Sequence, residues 1–358
     1  MTRVLLVGDF PPVPTGFANV NYHIAKLLSR MGYSLRILTH MLGDGFHEVE
    51  GFMVKSLGNR YEFKKLRDFL SIHRFDVAVL SGPWFLWKEV VPALDCFDIP
   101  FIAYTTCEGR VLFDYVAPLM HAEKVLVPSE YARRFLSEYI PCRKMAVLPH
   151  GIDTRLFRPI LRPQNIIFYP ARYGDPRKQT DKVLEAFRRI RRDGLRLMFS
   201  GKPPSEDGVI GTWSNTHYVH GRTSSPSLRE MPLLYSRSNV VVGVGAEGFY
   251  LPSIEAMATR RPIVALDVPP FNEIIGDKRL LVKPTYSIES KSYVYLDRER
   301  IPIQYTLHVP DVEELSEKIL DNLHPSEKDK RRWRRRAERR YNYRINYLQL
   351  VREIDRIA

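Results

Sequence analysis

Short β-branched runs alternate with amphipathic helical patterns along nearly the whole chain, and this alternation constrains the fold more than any other feature. Strand-like runs occur at 4–10, 35–40, 76–81, 101–106, 124–128 and 145–148, with helical patterns at 17–30, 61–73, 111–121 and 129–140. Strands that recur with helices between them form a parallel, doubly wound sheet. The rhythm restarts beyond the turn-rich stretch Pro149-His150-Gly151-Ile152-Asp153. Strands are predicted at 166–170, 195–200, 217–220, 240–244 and 262–265, with a helix at 181–192. The expectation is an α/β chain of two Rossmann-like domains facing each other across a cleft. Residues 1–158 form the first domain and 159–325 the second, with a β-hairpin inserted at about 286–309. Residues 326–358 read as one long helical pattern that packs back on the first domain.

A chain of 358 residues, 44% hydrophobic, has room for two cores of ordinary size. Three scattered cysteines, Cys96, Cys107 and Cys142, give neither a disulfide framework nor a thiolate metal site. The opening apolar run is too short for a signal peptide and no stretch reaches membrane-spanning length, so a soluble, cytoplasmic protein is expected. Net charge is +13, concentrated in the second half, which favours anionic partners: nucleotide diphosphates, acidic phospholipid headgroups or nucleic acid. The run Arg331-Arg332-Trp333-Arg334-Arg335-Arg336 reads first as a solvated helix face and next as a peripheral contact with an acidic membrane surface. Nucleic acid ranks last, because no RNA-binding aromatic signature accompanies the run.

Three strand-to-helix loops carry candidate chemistry. Such loops open on the ligand crevice of a parallel sheet, where helix N–H groups favour anions. The first ends in Thr15-Gly16, where glycine lets a phosphate approach the backbone. The second, Tyr169-Pro170-Ala171-Arg172-Tyr173-Gly174-Asp175-Pro176-Arg177-Lys178, brings cations that suit a pyrophosphate. The third, Gly245-Ala246-Glu247-Gly248-Phe249-Tyr250-Leu251, leads into a helix carrying Glu255. Each loop taken alone is also compatible with a solvated turn. The dinucleotide fingerprint and the P-loop are both missing, which argues against a dehydrogenase and an ordinary NTPase.

Taken together, these loops resemble the retaining, nucleotide-sugar-dependent glycosyltransferases of family 4, which have two facing Rossmann domains (the GT-B arrangement). The Arg172 to Lys178 loop is similar to that family's donor-phosphate loop. Glu247 through Glu255-Ala256-Met257-Ala258 resembles its paired-glutamate motif, and Phe271-Asn272-Glu273-Ile274-Ile275 the segment that follows. Val127-Pro128-Ser129-Glu130 and Leu148-Pro149-His150-Gly151-Ile152-Asp153, with Phe157 and Pro159, resemble its upstream signatures.

The resemblance implies transfer of a sugar from a nucleotide diphosphate donor to a hydroxyl acceptor, lipid-linked or saccharide, without a cofactor or metal. Arg172 and Lys178 would hold the diphosphate and stabilise the leaving group. Glu247 would hold the transferred sugar with amides of Gly248 and Phe249, beside Tyr250 and Leu251, while Glu255 would take the ribose. Gly16 would let the first loop reach the donor. The family's usual histidine is absent from Tyr104-Thr105-Thr106-Cys107-Glu108-Gly109, so Glu108 or Thr106 is the candidate replacement. Tyr250 replaces a common glycine and is expected to reshape the sugar pocket, whereas His150 reads as a linker residue. A catalytically idle nucleotide-sugar or nucleic-acid-binding relative is the alternative, as is a related epimerase or phosphorylase.

Overall fold

The computed structural model describes residues 1–190, 192–201, 204–212, 227–296 and 299–358. These residues fall into two units. The first comprises Met1–Gly151, Lys291–Gln304 and Tyr343–Ala358; the second comprises Ile152–Ser290 and Tyr305–Asn342.

The first unit holds an eight-stranded sheet. Its strands are β1 (Arg3–Val7), β2 (Ser34–Thr39), β3 (Gly45–Val49), β4 (Phe52–Ser56), β5 (Val77–Pro83), β6 (Phe101–Thr106), β7 (Lys124–Val127) and β8 (Met145–Val147). Their order is β3-β4-β2-β1-β5-β6-β7-β8, parallel except that β3 runs antiparallel to β4. The sequence reading missed the β3–β4 edge, because β3 alternates between half-buried and exposed residues and carries no apolar run. The central strands are apolar on both faces: Val4, Leu5, Leu6, Val7 and Val77 to Leu80 are all buried. Burial of each such side chain contributes about 1.5–3 kcal/mol.

The second unit repeats the architecture with β9 (Ile166–Arg172), β10 (Arg196–Ser200), β11 (Val209–Thr212), β12 (Val240–Gly243), β13 (Ile263–Leu266) and β14 (Leu281–Val282). The order is β11-β10-β9-β12-β13-β14, all parallel. The strand expected at 217–220 lies outside the described residues. The inserted hairpin is longer than expected, with β15 (Pro284–Leu296) and β16 (Glu299–Pro310) forming a two-stranded sheet. Among the described residues, no helix is long and apolar enough to cross a membrane.

Strand order places the ligand crevices. From β1 the chain turns first to β2 and later to β5 on the other side. From β9 it turns first to β10 and later to β12. Loops at such reversals diverge and leave a crevice beyond the carboxyl ends of the strands.

The tail is not one long helix. It runs as helices Glu327–Arg340, Tyr343–Asn346 and Leu348–Ile357. The break has a local cause, since the carbonyl of Tyr341 accepts from the Ile152 N–H at 2.8 Å and Asn342 forms a β-bridge with Ile152. Beyond the break, Tyr343 lies so close to Gly151 that a Cβ there would come within 2.6 Å of the Tyr343 Cα. The Gly151 N–H donates to the Tyr347 hydroxyl at 3.0 Å. The arginine run before the break is a solvated face only in part: Arg331, Arg332 and Arg335 are exposed, whereas Arg334 and Arg336 are half-buried. Arg332 pairs with Asp277, Arg334 donates to the carbonyls of Thr154, Phe157 and Ala258, and Arg336 to those of Glu273 and Ile274.

Candidate active site

In the second unit, the loops after β9 and β12 are joined backbone to backbone. The Ala246 N–H donates to the Arg177 carbonyl at 3.2 Å, and the Arg177 guanidinium returns to the Ala246 carbonyl at 3.4 Å. Beneath them, the buried Tyr169 hydroxyl lies between the carbonyls of Lys178 and Val244, 3.0 Å from the latter. Gly245 permits the close approach. Its φ is +105°, and a Cβ would stand 2.5 Å from the Arg177 carbonyl oxygen.

This stitching brings Lys178 and Glu247 together as an ion pair. Their side chains are only 18% and 10% exposed, so water screens the pair weakly. Burial lowers the Lys178 pKa, and the Glu247 charge opposes that shift. Arg172 is the last residue of β9, and Asp175 turns the loop by accepting the Arg177 N–H at 3.0 Å.

Helix Leu251–Ala258 follows, and its N-cap residue Tyr250 makes no side-chain capping bond. Phe249 packs edge-on against Tyr341 at 6.4 Å. Tyr250 corrects the sequence reading. Its side chain is 3% exposed, its hydroxyl donates to the Val242 carbonyl at 3.1 Å, and its ring packs on Phe271. The side chain therefore fills the core beneath β12 instead of lining a sugar pocket. Gly243 makes room for it, since a Cβ there would come within 2.9 Å of the ring. Glu255 is buried, and this desolvation raises its pKa to about 7, opposed by the neighbouring Tyr235 hydroxyl.

In the first unit, Gly16 opens helix Gly16–Arg30, capped by Thr15, whose hydroxyl accepts the Ala18 N–H at 3.1 Å and donates to Asp9 at 2.7 Å. Asn21 bridges the carbonyls of Asp9 and Ser81, joining the loop after β1 to strand β5. His40, at the end of β2, holds its Nδ1 3.5 Å from the Asp9 carboxylate. Glu108 sits half-buried just beyond β6, where its carbonyl accepts from the Tyr131 hydroxyl. His150 is buried beside the Tyr104 hydroxyl at 2.6 Å, and burial drops its pKa to about 3.

Sequence reasoning did not anticipate the roles of Tyr169, Gly245, Asp9, Asn21 and His40. Gly245 carried a readable signal as a glycine directly after a buried strand, whereas the polar residues are recognisable only once strand order is known. Among the described residues, no group of three or more His, Cys, Asp or Glu side chains converges as a metal-holding cluster.

Two family models match the chain: "Glycosyltransferase Family 4" over residues 14–156 and "Glycosyl transferases group 1" over residues 164–291. The MMP alpha-(1->4)-mannosyltransferase of Mycolicibacterium hassiacum is 32% identical over 161 residues, covering 43% of this chain and 39% of that protein. The O-antigen chain mannosyltransferase RfbU of Salmonella typhimurium is 39% identical over 59 residues, covering 16% of this chain and 17% of that protein. The matched part thus spans under half the length of either relative. A UDP-forming alpha,alpha-trehalose-phosphate synthase from Burkholderia xenovorans, solved with glucose-6-phosphate, superposes with a TM-score of 0.68. It covers 99% of this chain and 100% of that one at 11% identity, a likeness of fold alone.

Proposed function

Because the chain belongs to the glycosyltransferases built from two Rossmann-like domains, we propose that it moves a hexosyl group from a nucleotide diphosphate donor to a hydroxyl acceptor, saccharide or lipid-linked, with retention at the anomeric carbon. The observation that carries this reading is the weakly hydrated Lys178–Glu247 pair where the loops after β9 and β12 meet. Arg172 supplies a bidentate fork and Lys178 a point charge for the diphosphate, and both stabilise the negative charge that grows as the glycosidic bond breaks. Glu247 then accepts from hydroxyls of the transferring sugar, aided by the amides of Gly248, Phe249 and Leu251. Glu255 takes the ribose. In the first unit, taken by itself, Gly16 offers a close backbone approach and Glu108 a hydroxyl acceptor.

Charge in this scheme is met by side-chain cations and amides, and it places no metal or cofactor. The two curated relatives are named mannosyltransferases, which makes a mannose donor the first to try. A cytoplasmic location and peripheral contact with an acidic membrane belong to the same proposal, the contact resting on the net charge of +13. A thermal-shift and calorimetric screen of GDP-mannose, UDP-glucose and related donors tests it. Donor turnover should appear and be lost in Lys178→Ala and Glu247→Ala, and failure of every nucleotide sugar to bind would overturn the reading.

A further inference from the structure

The first unit contains a cavity of about 340 Å³ well apart in sequence from the glutamates and cations of the second. The size lies within the range of ligand pockets, roughly 300–1,000 Å³. Its lining combines aromatic faces with paired charges. Tyr61, Phe85 and Tyr115 supply rings, and His40, its ring tilted against Tyr61 at 4.7 Å and close to Asp9, supplies an imidazole. Among the described residues, the buried Tyr61 hydroxyl has no hydrogen-bond partner.

Three lining cations, Arg60, Lys64 and Lys88, face three carboxylates, Glu62, Glu89 and Glu299. Arg60 lies 3.9 Å from Glu62 and Lys88 3.4 Å from Glu299. Glu299 comes from the inserted hairpin. It begins β16, belongs to the segment Lys291–Gln304 of the first unit, and accepts a hydrogen bond from the Tyr115 hydroxyl. Lys88 stands 5.3 Å above the Tyr115 ring, completing a closed group of three.

From this geometry we propose that the cavity binds a neutral saccharide acceptor and that the hairpin, through Glu299, selects it. The proposal rests on the glycosyltransferase reading above. Aromatic faces stack on the apolar C–H faces of a sugar ring, and balanced carboxylates and cations exchange hydrogen bonds with its hydroxyls. A phosphorylated sugar would need a surplus of cations, as the donor loop has and this cavity lacks. Glu299, Tyr115 and Lys88 therefore act as specificity residues that touch the acceptor.

The test uses the full chain with methyl α-D-mannopyranoside, methyl α-D-glucopyranoside, maltose, mannose 6-phosphate and glucose 6-phosphate, read by saturation-transfer NMR and calorimetry. GDP and UDP are titrated separately. At least one neutral sugar should bind about tenfold more tightly than either phosphate, and Glu299→Gln and Tyr115→Phe should each weaken it about tenfold. Nucleotide affinity should stay within about twofold in both variants. Preference for a sugar phosphate, absence of saturable saccharide binding, or neutral-sugar affinity unchanged in both variants would overturn the proposal. Saccharide binding without nucleotide binding would instead sink the donor reading and leave the cavity standing.

Discussion

Lys178 and Glu247 form an ion pair between loops that follow neighbouring strands, each side chain less than a fifth exposed. Removing one partner leaves a charge that is poorly solvated. Lys178→Met or Glu247→Gln alone should cost about 2–4 kcal/mol of stability in chemical denaturation. The double replacement should recover most of that loss, because no buried charge remains, yet still fail to bind a nucleotide sugar by calorimetry. A loss in the double variant equal to the sum of the two single losses would show that the pair carries no coupling.

Gly245→Ala puts a Cβ where the Arg177 carbonyl already lies, at a φ that L-residues rarely adopt. The loops must separate. Expected are a loss of about 2 kcal/mol or more in unfolding free energy and a donor affinity reduced at least about tenfold. A thermal melt and a nucleotide titration on the same preparation check both.

Tyr169→Phe keeps the ring and deletes only the hydroxyl between the Lys178 and Val244 carbonyls. Stability should fall by about 1 kcal/mol. Donor affinity should fall further than stability does, since the variant loosens the spacing of the two loops. A Kd equal to that of the unaltered protein would argue that Tyr169 is simply core.

Glu255 gives the chain a pH signature. Its carboxyl titrates near 4.5 when unfolded and near 7 in the folded protein, so the folded state binds the proton more tightly. That contribution to stability is complete below pH 4.5 and is lost as pH rises through 7. Glu255→Gln should flatten this part of the stability profile, measured as denaturation midpoints at pH 5, 6, 7 and 8. A variant profile parallel to that of the unaltered protein would remove Glu255 as the cause.

The two-sheet architecture was legible because buried parallel strands announce themselves as β-branched runs, as in Val240-Val241-Val242. Strand β3 was not, since an edge strand that alternates half-buried and exposed residues has no such run. Lys178 and Glu247 were readable as candidates from their loops, but their pairing depends on β9 and β12 being neighbours, which no local pattern encodes. Tyr250 misled for the opposite reason. A tyrosine in a loop motif reads as a pocket residue, while the space that receives it is made by Gly243, seven positions earlier and across the sheet surface.

The tail of the chain has a consequence for how the protein is made. Tyr343–Ala358 belongs to the same unit as Met1–Gly151, and Tyr347 is hydrogen-bonded to Gly151. During synthesis the first sheet therefore emerges long before the aromatics that complete it, and the entire second unit is translated in between. Nascent chains stalled at 300 and chains extending through 358 should differ in protease resistance within residues 1–151. Residues 343–358 act as a late-arriving keystone for residues 1–151.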